Sequence, residues 1–177
     1  LPPFKAAVEE GAASVMNSFN DVNGIPATGD EYLQRTQLKE NWGFDGFVVS
    51  DWGSMREMIA HGYAPDLQTA TEMAIEAGSD MDMESEGYQQ YLQDLVESGK
   101  VDISLVDAAV RRVLRVKFHL GLFDDPYLYN DLKREEELVY NEAHHNVALR
   151  AAPGSIVLVE NKEQLLPLSK NRESIAV

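Results

Sequence analysis

Apolar positions along the chain alternate between short dense runs and longer stretches with helical spacing. The first stretch, residues 3–10, reads as a helix with Pro3 in its first turn and Gly11 as its stop. Residues 14–19 then read as a strand, followed by a loop over 20–27 in which Asn23, Gly24 and Pro26 mark turns. Thr28 with Glu31 fits a capping box and opens a helix to about Asn41. Residues 44–50 form a second strand whose end is almost continuously apolar, as a parallel strand buried on both faces requires. Further helices are expected over 66–77, closed by Gly78, and over 88–98, stopped by Gly99, with a short strand over 79–83 between them. A long helix follows, capped by Ser104 with Asp107 and ending at Gly121; Val106, Ala109, Val110, Val113, Val116 and Leu120 recur along it at helical spacing.

Strand–helix repetition with short loops means β/α units on a parallel sheet, so the fold class is α/β. Three such units fit into residues 12–120, too few for a closed eight-unit barrel, which takes ~250 residues. Periodicity leaves an arc of a barrel and part of an open doubly wound sheet equally available. After Gly121 the texture changes to the polar, Pro-containing stretch 123–130. A charged helix is expected from about Leu132 to Ala152, ended by Pro153 and Gly154. Residues 155–159 then read as a strand, and residues 165–168 and 175–177 continue the opening of a second domain. The expected division is thus 1–125 for the β/α units, 126–152 for a linker with its helix, and 153–177 for the start of the next domain. A chain that opens and stops inside such elements reads as a fragment of something larger.

Charge narrows the function. Thirty acidic against 15 basic residues leave a net charge of −15, which repels phosphate backbones and anionic membrane faces. Neither a nucleic acid nor a membrane is therefore an expected partner. The absence of cysteine removes disulfides and thiolate metal sites, and no run reaches the ~18 apolar residues that span a bilayer. Asp80, Asp82 and Glu84 alternate as in a calcium loop, but Ser85 and Tyr91 stand where an EF-hand needs Gly and Glu, so no metal is expected. His144 and His145 are adjacent on a helix and point apart, and His61 and His119 read as ordinary helix or loop residues.

Asp51 carries the most information. It directly follows a buried apolar strand, where a parallel β/α protein exposes its working face. A carboxylate there can attack an anomeric carbon, hold a metal or a sugar hydroxyl, or simply cap a helix. Trp52 beside it offers an indole face on which the C–H face of a sugar stacks; its alternative is packing under the loop.

Three segments, residues 15–27 (Val-Met-Asn-Ser-Phe-Asn-Asp-Val-Asn-Gly-Ile-Pro-Ala), 42–53 (Trp-Gly-Phe-Asp-Gly-Phe-Val-Val-Ser-Asp-Trp-Gly) and 77–83 (Ala-Gly-Ser-Asp-Met-Asp-Met), closely resemble glycoside hydrolase family 3 in order and spacing. They are similar to the last barrel units of its β-glucosidase and β-xylosidase branch. Residues 112–123 resemble that family's last barrel helix, and residues 155–161 with 166–168 resemble the entry to its second domain. The resemblance implies the C-terminal part of a (β/α)8 TIM-type barrel joined to the first strands of an α/β sandwich. It further implies a retaining exo-β-glycosidase acting on terminal non-reducing β-D-glucosyl or β-D-xylosyl residues, in β-linked oligosaccharides or in aryl and alkyl β-glycosides, with no cofactor. Asp51 matches the nucleophile that becomes glycosylated, Trp52 a wall of the first sugar subsite, and Met16 a methionine that contacts the sugar. Phe19 falls where many members carry tyrosine, so one phenol hydrogen bond is replaced by an aromatic wall. The family's upstream sugar-binding Asp, Arg and Lys-His residues would precede Leu1, and its acid/base Glu would follow Val177. The fragment alone is therefore expected to be inactive, and its parent to be periplasmic or secreted. The rival readings are a β-N-acetylglucosaminidase of the same family, disfavoured because Trp52 stands where an acidic residue typically follows the nucleophile, and a non-catalytic carbohydrate-binding or structural module.

Overall fold

The computed structural model describes residues 1–171, and the expected strand over 175–177 lies outside them. The chain forms two units, residues 1–128 and 129 onward. In the first, helix α1 (Pro2–Glu9) places two prolines in its opening turn, and Gly11 follows it at φ +91. Strand β1 (Ser14–Met16) pairs in parallel with β4 (Phe47–Val49), Val15 facing Val48. A parallel bridge between Val49 and Met81 adds a third segment beside β4. The parallel β segments expected around residues 14, 47 and 81 are all present, each shorter than the apolar run that announced it.

The connections carry most of the differences. β1 ends at Met16 because Asn17 turns its side chain into a buried polar cluster, although its N–H still donates to Val49 O (3.0 Å). The expected loop contains a small hairpin, β2 (Asp21–Val22) against β3 (Ile25–Pro26). Asn23 and Gly24 both take positive φ at its tip, as a two-residue hairpin turn demands. The helix expected from Thr28 is preceded by a 3₁₀ turn (Ala27–Gly29) and wound as a π-helix over Tyr32–Asn41. Its start is capped by Asp30, whose Oδ1 accepts from Leu33 N (3.0 Å), not by Thr28, which is buried and bonded elsewhere. The short helix α2 (Ser54–Ala60) escaped the pattern, since two turns are too few to establish a period and bury only Met55 and Met58 among its apolar side chains.

Helices α3 (Leu67–Ala77), α4 (Gly87–Glu97) and α5 (Ile103–His119) lie where expected. Asp66 caps α3 through Thr69 N, and these bonds hold its carboxyl below the usual range. α5 is capped by Asp102, which accepts from Ser104 N (2.8 Å) and is likewise held low, so the cap lies two residues upstream of the expected Ser104. The buried side chains gather between helices and sheet: Met55, Met58, Ala70 and Ala74 between α2 and α3, Ile75, Leu95, Val101 and Ala109 among α3, α4 and α5, and Leu38, Phe44 and Val48 beneath β4. Arg112 from α5 donates to Phe44 O (3.0 Å) and Gly46 O (2.9 Å), and Arg115 to Asp45 O (2.8 Å). The two guanidinium groups clamp the turn that feeds β4.

In the second unit the single helix expected over 132–152 is two, α6 (Leu132–Leu138) and α7 (Glu142–Ser155). Tyr140 takes a positive φ between them, and Asn141 restarts the helix by accepting from His144 N (2.8 Å). α7 runs through Pro153, where the sequence reading placed its stop. Residues 155–159 form no strand: Ile156, Val157, Leu158 and Val159 stay exposed, because a strand needs a neighbour for its N–H and C=O groups and none pairs with them among the described residues.

Candidate active site

The site is built on the C-terminal ends of the parallel β segments. β4 delivers Ser50 and Asp51, β1 delivers Met16 and Asn17, and the third segment delivers residues 81–83. Three hydrogen bonds tie the turn after β4 to that third segment. Ser50 N donates to Met81 O (2.9 Å), Gly53 N to Met83 O (2.9 Å), and Met83 N to Ser50 Oγ (2.8 Å). The chain reverses at Gly53, which takes φ +66, a conformation that a Cβ would strain.

Asp51 is half-buried. Its Oδ1 accepts from Trp52 N (2.6 Å), while Oδ2 accepts nothing among the described residues. No side-chain hydrogen bond caps α2, so the helix-capping alternative for this carboxylate does not describe it. Trp52 stands 65% exposed, Met16 50% and Phe19 37%, so three large apolar side chains are open to solvent on segments that leave the same sheet end. The alternative in which Trp52 packs under the loop is not what the fold does with it.

Beneath this rim lies a buried polar cluster that the sequence reading missed. Asn17 Nδ2 donates to Ser79 Oγ (2.8 Å) and Gln34 Oε1 (3.1 Å). Thr28 Oγ1 donates to Asn17 Oδ1 (3.0 Å) and lies 2.9 Å from Ser54 Oγ, at the start of α2. Gln34 Nε2 donates to the carbonyls of Ala27 and Thr28, each at 2.9 Å. Among the described residues no buried side-chain nitrogen or oxygen lacks a partner. A satisfied network of this kind is stiff, and it ties the end of β1, the approach to the third β segment and the start of α2 together under the Asp51 turn. Its sequence signal was Gln34, four residues before Leu38 on the inward face of its helix, where an apolar residue would be usual.

Two of the three acidic residues weighed as metal ligands, Asp80 and Asp82, are engaged by the protein. Asp80 accepts from Lys39 Nζ through both oxygens (2.8 Å) and from Val48 N (2.8 Å), with side chains only 8% and 5% exposed. Burial pulls the Lys39 ammonium below its ordinary value, and Asp80 opposes that shift. Asp82 accepts from Gly87 N (2.7 Å) and Ser85 N (3.2 Å), which fixes the turn into α4. Burial, reinforced by Asp80 and Asp82, raises the Tyr88 phenol well above its usual value. His61 pairs with Asp21 (2.9 Å), joining the hairpin to the end of α2. No group of three or more His, Asp or Glu able to hold a metal occurs among the described residues, and none of their helices is long and apolar enough to cross a membrane.

Residues 1–116 match the family model described as the glycosyl hydrolase family 3 N terminal domain. The chain is 41% identical to the periplasmic β-glucosidase of Salmonella typhimurium over 97% of its own length and 23% of that protein's. It is 37% identical to a putative β-xylosidase of Formosa agariphila, again over 97% of this chain and 23% of that one. In three dimensions it is similar to the β-glucosidase of Listeria innocua solved with glucose, at a TM-score of 0.78 and 41% identity, covering 96% of this chain and 23% of that one. A mutant of the Listeria innocua β-glucosidase has also been solved with laminaribiose. The chain thus spans about a quarter of the length of the proteins it resembles. With the family model covering most of its length, and with relatives above 30% identity along nearly all of it, the chain belongs to glycoside hydrolase family 3.

Proposed function

We propose that this chain is the nucleophile-bearing part of a retaining exo-β-glycosidase that releases terminal non-reducing β-D-glucosyl or β-D-xylosyl residues. In this reading residues 1–125 form the last β/α units of a (β/α)8 barrel, 126–152 link them onward, and 153–177 open an α/β-sandwich domain. The observation that carries the reading is the Asp51 carboxylate at the C-terminal end of β4, held through one oxygen, open at the other, and flanked by exposed Trp52. Enzymes on parallel β/α frameworks place their chemistry at that end of the strands.

The reaction then runs in two displacements. Asp51 Oδ2 attacks the anomeric carbon, the bond to the aglycone oxygen breaks, and a carboxylic acid from chain outside these residues protonates the leaving oxygen. Water next attacks the anomeric carbon of the glycosyl ester from the opposite face, and the bond to Asp51 Oδ2 breaks to restore the carboxylate. The proton of the water returns to the acid group that was deprotonated in the first step. Two inversions return the β configuration. Trp52 and Met16 line the first sugar subsite, with Phe19 as a wall that offers no hydroxyl. A retaining site needs its two carboxyl groups ~5–5.5 Å apart, so these residues without their acid partner turn nothing over. The periplasmic Salmonella relative supports a parent enzyme outside the cytoplasm.

In the full-length enzyme carrying this sequence, Asp51→Ala is expected to lower kcat by orders of magnitude. Azide is expected to restore part of the rate and to yield the α-glycosyl azide by a single inversion. Near-normal turnover by Asp51→Ala would exclude the assignment.

A further inference from the structure

Asp51 is held almost entirely by its own stretch of backbone. The bond its side chain makes among the described residues is to Trp52 N, the next residue, so the direction of the carboxylate is inherited from the peptide planes around it. Those planes are gripped from two sides. Asp51 O accepts from Ser54 N (3.2 Å) and from Ser50 Oγ (3.0 Å). Ser50, fully buried at the tip of β4, uses the same hydroxyl oxygen to accept from Met83 N (2.8 Å) on the neighbouring segment. Of the three bonds that join residues 50–53 to residues 81–83, two are backbone to backbone and do not depend on the Ser50 side chain. The third depends on one side chain. We infer that Ser50 is a positioning residue for the Asp51 carboxylate, relaying the position of the third β segment into the carbonyl of Asp51.

The inference rests on Asp51 being the nucleophile and adds what aims it. Without the hydroxyl, Met83 N–H, a half-buried donor, loses its acceptor, and the Asp51 peptide loses one of its two anchors. The turn can then tilt while the strands stay paired. Attack on an anomeric carbon is sensitive to such a tilt, because a misplacement near 1 Å costs about 100-fold in rate. A hydroxyl that served only to satisfy buried groups would lower stability and leave the chemical step alone.

The test is the rate at which 2-deoxy-2-fluoro-β-glucosyl fluoride labels the full-length enzyme. Wild type, Ser50→Ala and Ser50→Thr are compared, with the labelled peptide mapped in each. Ser50→Ala is expected to lower the saturating labelling rate about 10- to 100-fold with little change in the half-saturating concentration. Ser50→Thr, which keeps the hydroxyl, is expected to regain most of the rate. Should Ser50→Ala fail to fold, Ser50→Cys takes its place with the same expectation, since a thiol is only a weak acceptor. Labelling of Asp51 by Ser50→Ala at the wild-type rate, or equal slowing in Ser50→Thr, would overturn the inference and leave Asp51 as nucleophile untouched. A wild-type label on a different carboxylate would instead remove the nucleophile reading, and this inference with it.

Discussion

Single residues divide here into those the fold buries for its own sake and those it leaves open. Trp52 belongs to the second group. At 65% exposure it can be truncated with little loss of packing, so Trp52→Ala in the full-length enzyme is expected to raise KM and lower kcat/KM while the melting temperature hardly moves. A large drop in melting temperature with normal kinetics would make it a packing residue instead. Lys39 belongs to the first group. Its ammonium is the charge partner of a nearly inaccessible Asp80, and Lys39→Met would strand that carboxylate with only Val48 N and the more distant Arg112 (3.9 Å) for support. Loss of one partner from a buried pair costs about 3–5 kcal/mol, and urea denaturation of the full-length enzyme is expected to show a loss of that order. A loss within the range of an exposed pair, below about 1 kcal/mol, would mean water reaches Asp80 after all. In the sequence Asp51 and Trp52 were legible because they break an apolar run at its end. Lys39 and Asp80 were not, since 41 positions separate them and neither departs from its local pattern.

At the scale of elements, strand and helix positions were readable wherever an apolar period and a stop residue agreed, as at α3 with Gly78 and α4 with Gly99. What pattern could not supply was partnership. Thr28 looks like a helix cap in one dimension and is a buried cluster member in three, while residues 155–159 look like a strand and lack a neighbour among the described residues. The winding of Tyr32–Asn41 was equally hidden, because its i→i+5 bonds, such as Trp42 N to Gln37 O (3.2 Å), leave no distinct mark on the apolar spacing. Gly46 shows the reverse case, a residue whose necessity is visible only once the elements pack. A Cβ there would lie 2.2 Å from Ala13 O and 2.7 Å from the Phe44 ring, where backbone cannot yield. Gly46→Ala is therefore expected to force β1 and β4 apart at their start, at a cost of about 1–3 kcal/mol, read as a lower urea midpoint. An unchanged midpoint would show that the turn before β4 adjusts freely.

At the scale of the whole molecule, the chain supplies three parallel β segments, their helices and one carboxylate aimed from the sheet's C-terminal end. It spans 23% of the length of its Salmonella relative, so the family could be read from it while the acid partner that the proposed mechanism needs could not. Residues 42–53 carried the resemblance in the sequence because a strand, a carboxylate, an aromatic and a tight turn fall within one short segment. Under the proposed function, Asp51 forms a covalent bond to sugar during turnover. The most direct measurement treats the full-length enzyme with a 2-deoxy-2-fluoro glycoside, whose fluorine slows hydrolysis of the ester, and maps the modified peptide by mass spectrometry. A single fluoroglycosyl group is expected on Asp51, displaced when a nucleophilic acceptor sugar is added. A label on any other carboxylate, or complete inactivation with Asp51 unmodified, would contradict it.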